Sequence, residues 1–289
     1  MTTYRYLQLD VFAETRGAGN ALGVVLDATN LDAEAMQAIA AWLNLPETVF
    51  FLPPPEEADY HIRIFTPACE LPFAGHPSVG AAWAAVHCNL VTPRDGGLMQ
   101  SCAAGLLPVD ITGTGHGRFV HVRAPQAVAQ SGAGQQTLLL AALRDIDTVG
   151  RPPALWNNGP GWWLAELRDA AALQAMQPDF PAIAALSLAS DATGLAVFAL
   201  TDNDGLVVRA FCPADAPNTP EDPVTGSANA CIAAWLHAQG RLPGVDGRYV
   251  ARQGMEVGRD GRLHLQVEAD GAVWIGGQVQ QVIDGTLDW

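Results

Sequence analysis

Residues 65–86, FTPACELPFAGHPSVGAAWAAV, decide how the rest of the chain is read. A β-branched run, Ile62 to Thr66, stops at Pro67, crosses a short loop and enters an Ala-rich segment through Gly75-His76-Pro77. Proline suits the first turn of a helix, and glycine lets the backbone come close to a neighbour. The following residues, 77–88, are small and apolar on nearly every face, which describes a helix surrounded by protein. A histidine at the entrance of such a helix implies something polar at its mouth.

The pattern recurs. Beginning at Phe211, FCPADAPNTPEDPVTGSANACIAAW repeats the order strand, Phe-x-Pro, acid-rich loop, glycine, buried helix, with the second helix over 227–238. A fainter echo links GNALGVVL (19–26) with NGPGWWLAEL (158–167). Similarity of this kind within one chain points to duplication. Short apolar runs bounded by Gly, Pro, Asp and Asn fill the remainder and read as strands of antiparallel, curved sheets. Helical periodicity also appears at 32–43, with Asn30 and Asp32 as possible caps, and at 169–176. The expected fold is therefore mixed α and β, with two pseudo-symmetric, barrel-like halves that each enclose a helix. The boundaries expected are 1–125 plus a returning strand at 279–289, and 126–278. The small, polar stretch 124–136 is read as the connection.

Composition excludes several function classes. The chain has 289 residues and a net charge of −15, which disfavours nucleic acid and anionic membrane surfaces. No apolar run approaches the ~20 residues that span a bilayer, and Arg5 and Asp10 interrupt any leader-like N-terminus, so a cytoplasmic protein is expected. All 15 basic residues are arginine. That removes a pyridoxal Schiff base, a catalytic lysine and a P-loop lysine. The 5 cysteines are scattered, and neither they nor the 7 histidines have metal-ligand spacing, so no metal and no cofactor is expected.

Chemistry concentrates at the two helix mouths. If the halves face each other, both helices direct unpaired N–H groups and positive dipole ends into one cleft. Gly75 and Gly226 permit close approach, while His76, Thr225 and Ser227 add side-chain donors. Such a site takes a carboxylate or a developing oxyanion without lysine. Two carboxyls could act as base. Glu47 lies among Leu45, Pro46, Val49 and Phe50, where burial would suit a proton shuttle; the alternative is a helix-terminal glutamate exposed on a loop. Asp222 could instead be a turn-forming acid before Pro223, and His76 a capping histidine.

Four signatures carry a resemblance. They are G-x-G-N (Gly17–Asn20), N-L-x-E-T-x-F (Asn44–Phe50), R-I-F-T-P-x-x-E-L-P-F-A-G-H-P (Arg63–Pro77) and E-D-P-x-T-G-S-A (Glu221–Ala228). In this order and spacing the chain resembles the PhzF-like, phenazine-biosynthesis-like isomerases of the diaminopimelate epimerase fold. The resemblance implies a proton-shuttling glutamate at Glu47, an active-site histidine at His76 and an aspartate at Asp222. It also implies a substrate carboxylate held at Gly75, Gly226 and Ser227, with Thr225 and Asn20 as further contacts. No cofactor or metal and a homodimer are implied as well. Pro46 departs from the family, which often has serine there, so the identity of the small acid is left open.

The function expected is cofactor-independent isomerisation, a proton moved between carbons of a small carboxylic acid. An amino-acid epimerase or racemase of the same fold would need a thiol at each mouth, and Cys69 and Cys212 sit too early for that. A non-catalytic small-acid-binding protein is the remaining alternative.

Overall fold

The computed structural model describes all residues except Met1, Asp145, Asp147 and 215–219, and the side chain of His116. The chain divides into two compact units, 1–123 with 275–289, and 124–274. In the first unit the strands are β1 (Thr3–Val11), β2 (Asn20–Val25), β3 (Glu47–Leu52), β4 (Tyr60–Phe65), the two-residue β5 (Glu70–Leu71), β6 (Gly97–Cys102), β7 (Gly105–Thr112) and β8 (Phe119–Arg123). Helix α1 (Ala33–Leu43) joins β2 to β3, and α2 (Gly75–His87) joins β5 to β6. The second unit contains β9 (Val128–Gln130), α3 (Gln136–Ala142), β10 (Ala154–Asn157), β11 (Gly161–Glu166), α4 (Ala170–Ala175), α5 (Phe180–Ser190), β12 (Gly194–Leu200) and β13 (Leu206–Phe211). It continues with β14 (Glu221–Asp222), α6 (Gly226–Ala238), β15 (Arg248–Gln253), β16 (Gly261–Val267) and the start of β17 (Val273–Asp288), whose remainder lies in the first unit.

Strands β1, β2, β3, β4, β6, β7, β8 and β17 pair in sequence, and the β8–β17 and β1–β17 pairings close the ring into an eight-stranded barrel. Helix α2 packs on β1, β2, β3, β4 and β8. Its residues from Gly75 to Ala85 are all buried, as the small side chains require of a helix inside a barrel. Gly80 is the point of closest approach, because a Cβ there would collide with Leu22 Cδ2 and stand 3.0 Å from Val11 Cγ2.

The second unit repeats the pairing order. In both, the pattern is antiparallel, parallel, antiparallel, a two-residue antiparallel strand, parallel, antiparallel: β1–β2, β2–β3, β3–β4, β4–β5, β4–β6, β6–β7 against β10–β11, β11–β12, β12–β13, β13–β14, β13–β15, β15–β16. Helix α6 packs on β9, β10, β11 and β16. The mixed α and β fold with enclosed helices is thus as expected, with corrections in detail. The sheets are not wholly antiparallel: each helical crossover returns the chain in the direction it left, which makes the β2–β3, β4–β6, β11–β12 and β13–β15 pairs parallel. The stretch 124–136 contains β9, which pairs with β10. The two short runs at 273–275 and 279–283 are parts of one 16-residue strand. Helices α3 and α5 carry no strong amphipathic signal; α5 presents Ile183 and Leu186 to the core but leaves Leu188 exposed.

Candidate active site

The mouth of α2 is prepared by β4 and β5. Arg63 grips Glu70 with two hydrogen bonds of 2.7 and 2.6 Å, clamping β5 onto β4. Thr66 folds the turn between them, its hydroxyl accepting from the amides of Ala68 and Cys69. Ala74 then caps α2 in an extended conformation with no side-chain hydrogen bond to the helix. Gly75 and His76 therefore present first-turn N–H groups that no cap consumes, and Pro77, the third residue, has no N–H to lose.

Glu47 and His76 meet here. Glu47 is the first residue of β3, paired in register with Leu22, and is not on a loop after α1. Its Oε2 lies 3.2 Å from Nε2 of His76. Burial pushes the imidazole down to about 3, partly opposed by a hydrogen bond to the Ala21 backbone. Nε2 makes no hydrogen bond, so Nδ1 is the nitrogen that meets the Ala21 carbonyl. That tautomer leaves a lone pair on Nε2 facing the Glu47 carboxyl. The 3.2 Å contact has the distance of an ion pair, whereas burial keeps His76 neutral. Burial decides, because the ring is 4% exposed and the contact lacks hydrogen-bond alignment. Asn20, fully buried at the start of β2, directly precedes Ala21.

The mouth of α6 is built from the matching parts. Arg209 grips Glu221 with bonds of 2.9 and 2.8 Å and clamps β14 onto β13, as Arg63 does for β5. Each arginine also lies 5.1 Å over the phenylalanine two residues later, Phe65 or Phe211. Here the pair is buried, and Arg209 donates further to the carbonyls of Leu173 and Met176. Asp222, next to Glu221, accepts from the Thr225 hydroxyl at 2.6 Å. Because that hydroxyl is engaged, Thr225 caps α6 without a side-chain bond to the helix. Gln253 secures the turn: its carbonyl oxygen accepts from Thr225 N and Asn229 Nδ2, and its amide donates to Asp222 O and the Thr225 hydroxyl. Trp162 donates its indole N–H to Ser227 Oγ at 3.1 Å, and Asn158 donates to the Ser227 carbonyl. Indole is only a donor, so the Ser227 hydroxyl hydrogen points elsewhere and is available to a ligand acceptor.

The structure thus gathers Glu47, Gly75, His76 and Asn20 at one mouth, and Asp222, Thr225, Gly226 and Ser227 at the other. Gln253, Asn229, Asn158, Trp162 and Arg209 were not among the expected site residues. Trp162 and Asn158 lie in the conspicuous NNGPGWW stretch, and Arg209 mirrors Arg63 in the repeated R-x-F; Gln253 has no local signal. Among the described residues no three or more His, Cys, Asp or Glu side chains are grouped to hold a metal ion. No described helix is long and apolar enough to cross a membrane.

A repeated strand order with an enclosed helix in each unit, closed into an eight-stranded barrel in the first, defines the class as the diaminopimelate-epimerase-like fold. A probable proline racemase from Agrobacterium radiobacter shares it at a TM-score of 0.65 and 13% identity, over 99% of this chain and 92% of that one, a likeness of fold alone. The family is more particular. Residues 9–285 match the PhzC-PhzF family, described as phenazine biosynthesis-like protein, and the chain belongs to that family. It is 31% identical to the trans-2,3-dihydro-3-hydroxyanthranilate isomerase of Pseudomonas aeruginosa, over 93% of this chain and 92% of the relative. A PhzF-family phenazine biosynthesis protein of Bacillus anthracis superposes with a TM-score of 0.84 at 26% identity, each chain covered in full. Relatives across the family carry isomerase names, and this chain is an isomerase.

Proposed function

We propose that the protein moves a proton between carbons of a small carboxylic acid, without a cofactor, with Glu47 as the acid/base. The observation that carries this reading is the Glu47–His76 pair at the uncapped mouth of α2. A carbon acid needs a base shielded from water and donors for the charge that develops. Glu47 is the base. His76, neutral and with its lone pair toward the carboxyl, cannot act as a counter-ion; it accepts a hydrogen bond from a proton that Glu47 or the ligand carries. The carboxylate-binding groups in this reading are the Gly75 amide, with Asn20 as a further contact, at the mouth of α2, and the amides of Gly226 and Ser227 with the hydroxyls of Ser227 and Thr225 at the mouth of α6. Asp222, held by Thr225 and Gln253, orients or shares the proton. The working unit in this reading is a homodimer.

The test begins with trans-2,3-dihydro-3-hydroxyanthranilate, the compound in a relative's name, and a panel of small unsaturated and cyclic acids in D₂O. NMR should show deuterium entering a carbon position of one of them. Glu47→Gln keeps shape and hydrogen bonding and should still bind that acid, while turnover falls at least ~10²-fold, the low end for loss of a general base. Near-full turnover by Glu47→Gln on the identified acid would show that another group is the base.

A further inference from the structure

The opposite end of α2 holds a second feature. Within the first unit a cavity of about 350 Å³ is lined by Arg16, Trp83, His87, Gly115, Gln281 and Val282. At 1.5 Å rise per residue, His87 lies about 18 Å along α2 from Gly75, so this cavity is separate from the Glu47–His76 mouth.

Its walls combine a flat apolar surface with unmet positive charge. Trp83 and His87, one helical turn apart, stack with centroids 4.3 Å apart and planes at 14°; Trp83 is buried, so the exposed His87 ring is the face of the stack that a ligand can reach. Val282 is half exposed beside them, pushed out where β17 carries an extra residue opposite the Gln8–Leu9 step of β1. Arg16 is tethered at the rim through Nε, which donates to the Gln281 carbonyl at 2.9 Å, leaving its two terminal nitrogens for a ligand. Arg118 is not a lining residue, but it is half-buried with its charge felt at His87, and among the described residues no carboxylate pairs with it. Burial, then Arg118 and Arg5, lower the His87 pKa, so its ring is neutral at pH 7; a hydrogen bond to Gln281 and the charge of Asp284 oppose them. Asp284 itself is engaged by Arg5 at 3.0 Å and does not neutralise Arg16 or Arg118. A half-buried guanidinium without a counter-ion carries a desolvation cost that a bound anion would offset.

We propose that this cavity binds a small, planar aromatic carboxylate, its carboxylate on the Arg16 fork and its ring against the His87 face of the Trp83–His87 stack. The guanidinium fork matches the plane and spacing of a carboxylate. A tetrahedral oxyanion would satisfy the charge but leave the His87 ring and Val282 unused.

The test follows the indole N–H signal of Trp83 in the intact chain by ¹⁵N NMR, assigned with Trp83→Phe, during titration with benzoate and separately with inorganic phosphate. Benzoate should shift that signal saturably and phosphate should not. Arg16→Ala should weaken benzoate binding about tenfold, as loss of a charge-assisted contact would. Arg118→Gln, a second independent substitution, should weaken it in the same direction. Glu47→Gln should leave the Trp83 titration unchanged, which separates this site from the helix-mouth reaction. The proposal is overturned if benzoate leaves Trp83 unmoved up to its solubility limit, or if phosphate shifts it equally. It is equally overturned if both arginine variants, with unaltered thermal unfolding, bind benzoate like the wild type.

Discussion

His76 provides a direct measure of whether burial or Glu47 controls the helix mouth. The imidazole is held at about 3 in the folded chain by burial, against about 6.5 in an unfolded one. The unfolded state therefore binds more protons between those values, and stability rises with pH across that window. From pH 8 down to pH 5 the single group removes about 2 kcal/mol, since at pH 5 the unfolded histidine is almost fully protonated and the folded one is not. Other groups titrate in the same range, so the quantity to measure is a difference. Urea unfolding of wild type and His76→Gln at pH 8 and pH 5 should show the wild type losing about 2 kcal/mol more than the variant. Imidazole ¹⁵N shifts at pH 5 should report a neutral ring with the proton on Nδ1. A carboxylate–imidazolium pair at 3.2 Å would behave in the opposite way, with His76 raised and the wild type gaining stability as pH falls from 8 to 6. That result would refute the burial argument and the acceptor role given to Nε2.

The two arginine clamps should differ sharply although they occupy matching positions. Arg209→Met strands a buried Glu221 and should cost about 3–5 kcal/mol in urea unfolding, whereas Arg63→Met, at a half-exposed pair, should cost below about 1 kcal/mol; equal losses would show that burial is not the deciding term. Gly80→Ala improves helix propensity by roughly 1 kcal/mol but forces a methyl against Leu22, so a net loss of about 1 kcal/mol is expected, and a gain in stability would mean that α2 is less tightly enclosed than it is here.

Much of the candidate site could be read along the chain because it is built from local segments. Gly75 and His76 are adjacent, and Asp222, Thr225, Gly226 and Ser227 fall within six residues, so a helix start with an unusual entrance announces them. The barrel-enclosed helices were legible for the same reason: Ala, Gly and Ser on every face leave no surface suited to water. Other features had no such signal. Gln253 secures the Asp222–Thr225 turn from 28 residues beyond Thr225, on a strand whose position depends on the parallel β13–β15 pairing. The parallel pairings themselves were missed because alternation of apolar residues reports which face of a strand is buried, not the direction of its neighbour.

Residue identity alone settled which chemistry is available: no lysine, no metal spacing, two small-residue helices, and carboxyl, imidazole and hydroxyl groups at their entrances. Those are properties of composition and of segments shorter than a helix, which survive without any long-range contact. Tertiary structure decided the rest. It set Glu47 as the first residue of β3, not on the loop that was the alternative, and brought it within 3.2 Å of His76, 29 positions away, through the β2–β3 register and the α2 packing. It also chose which of two matching arginine clamps is buried, and which nitrogen of His76 faces the carboxyl. Protonation and pairing depend on dielectric surroundings and on neighbours distant in sequence, and only the closed barrel supplies either.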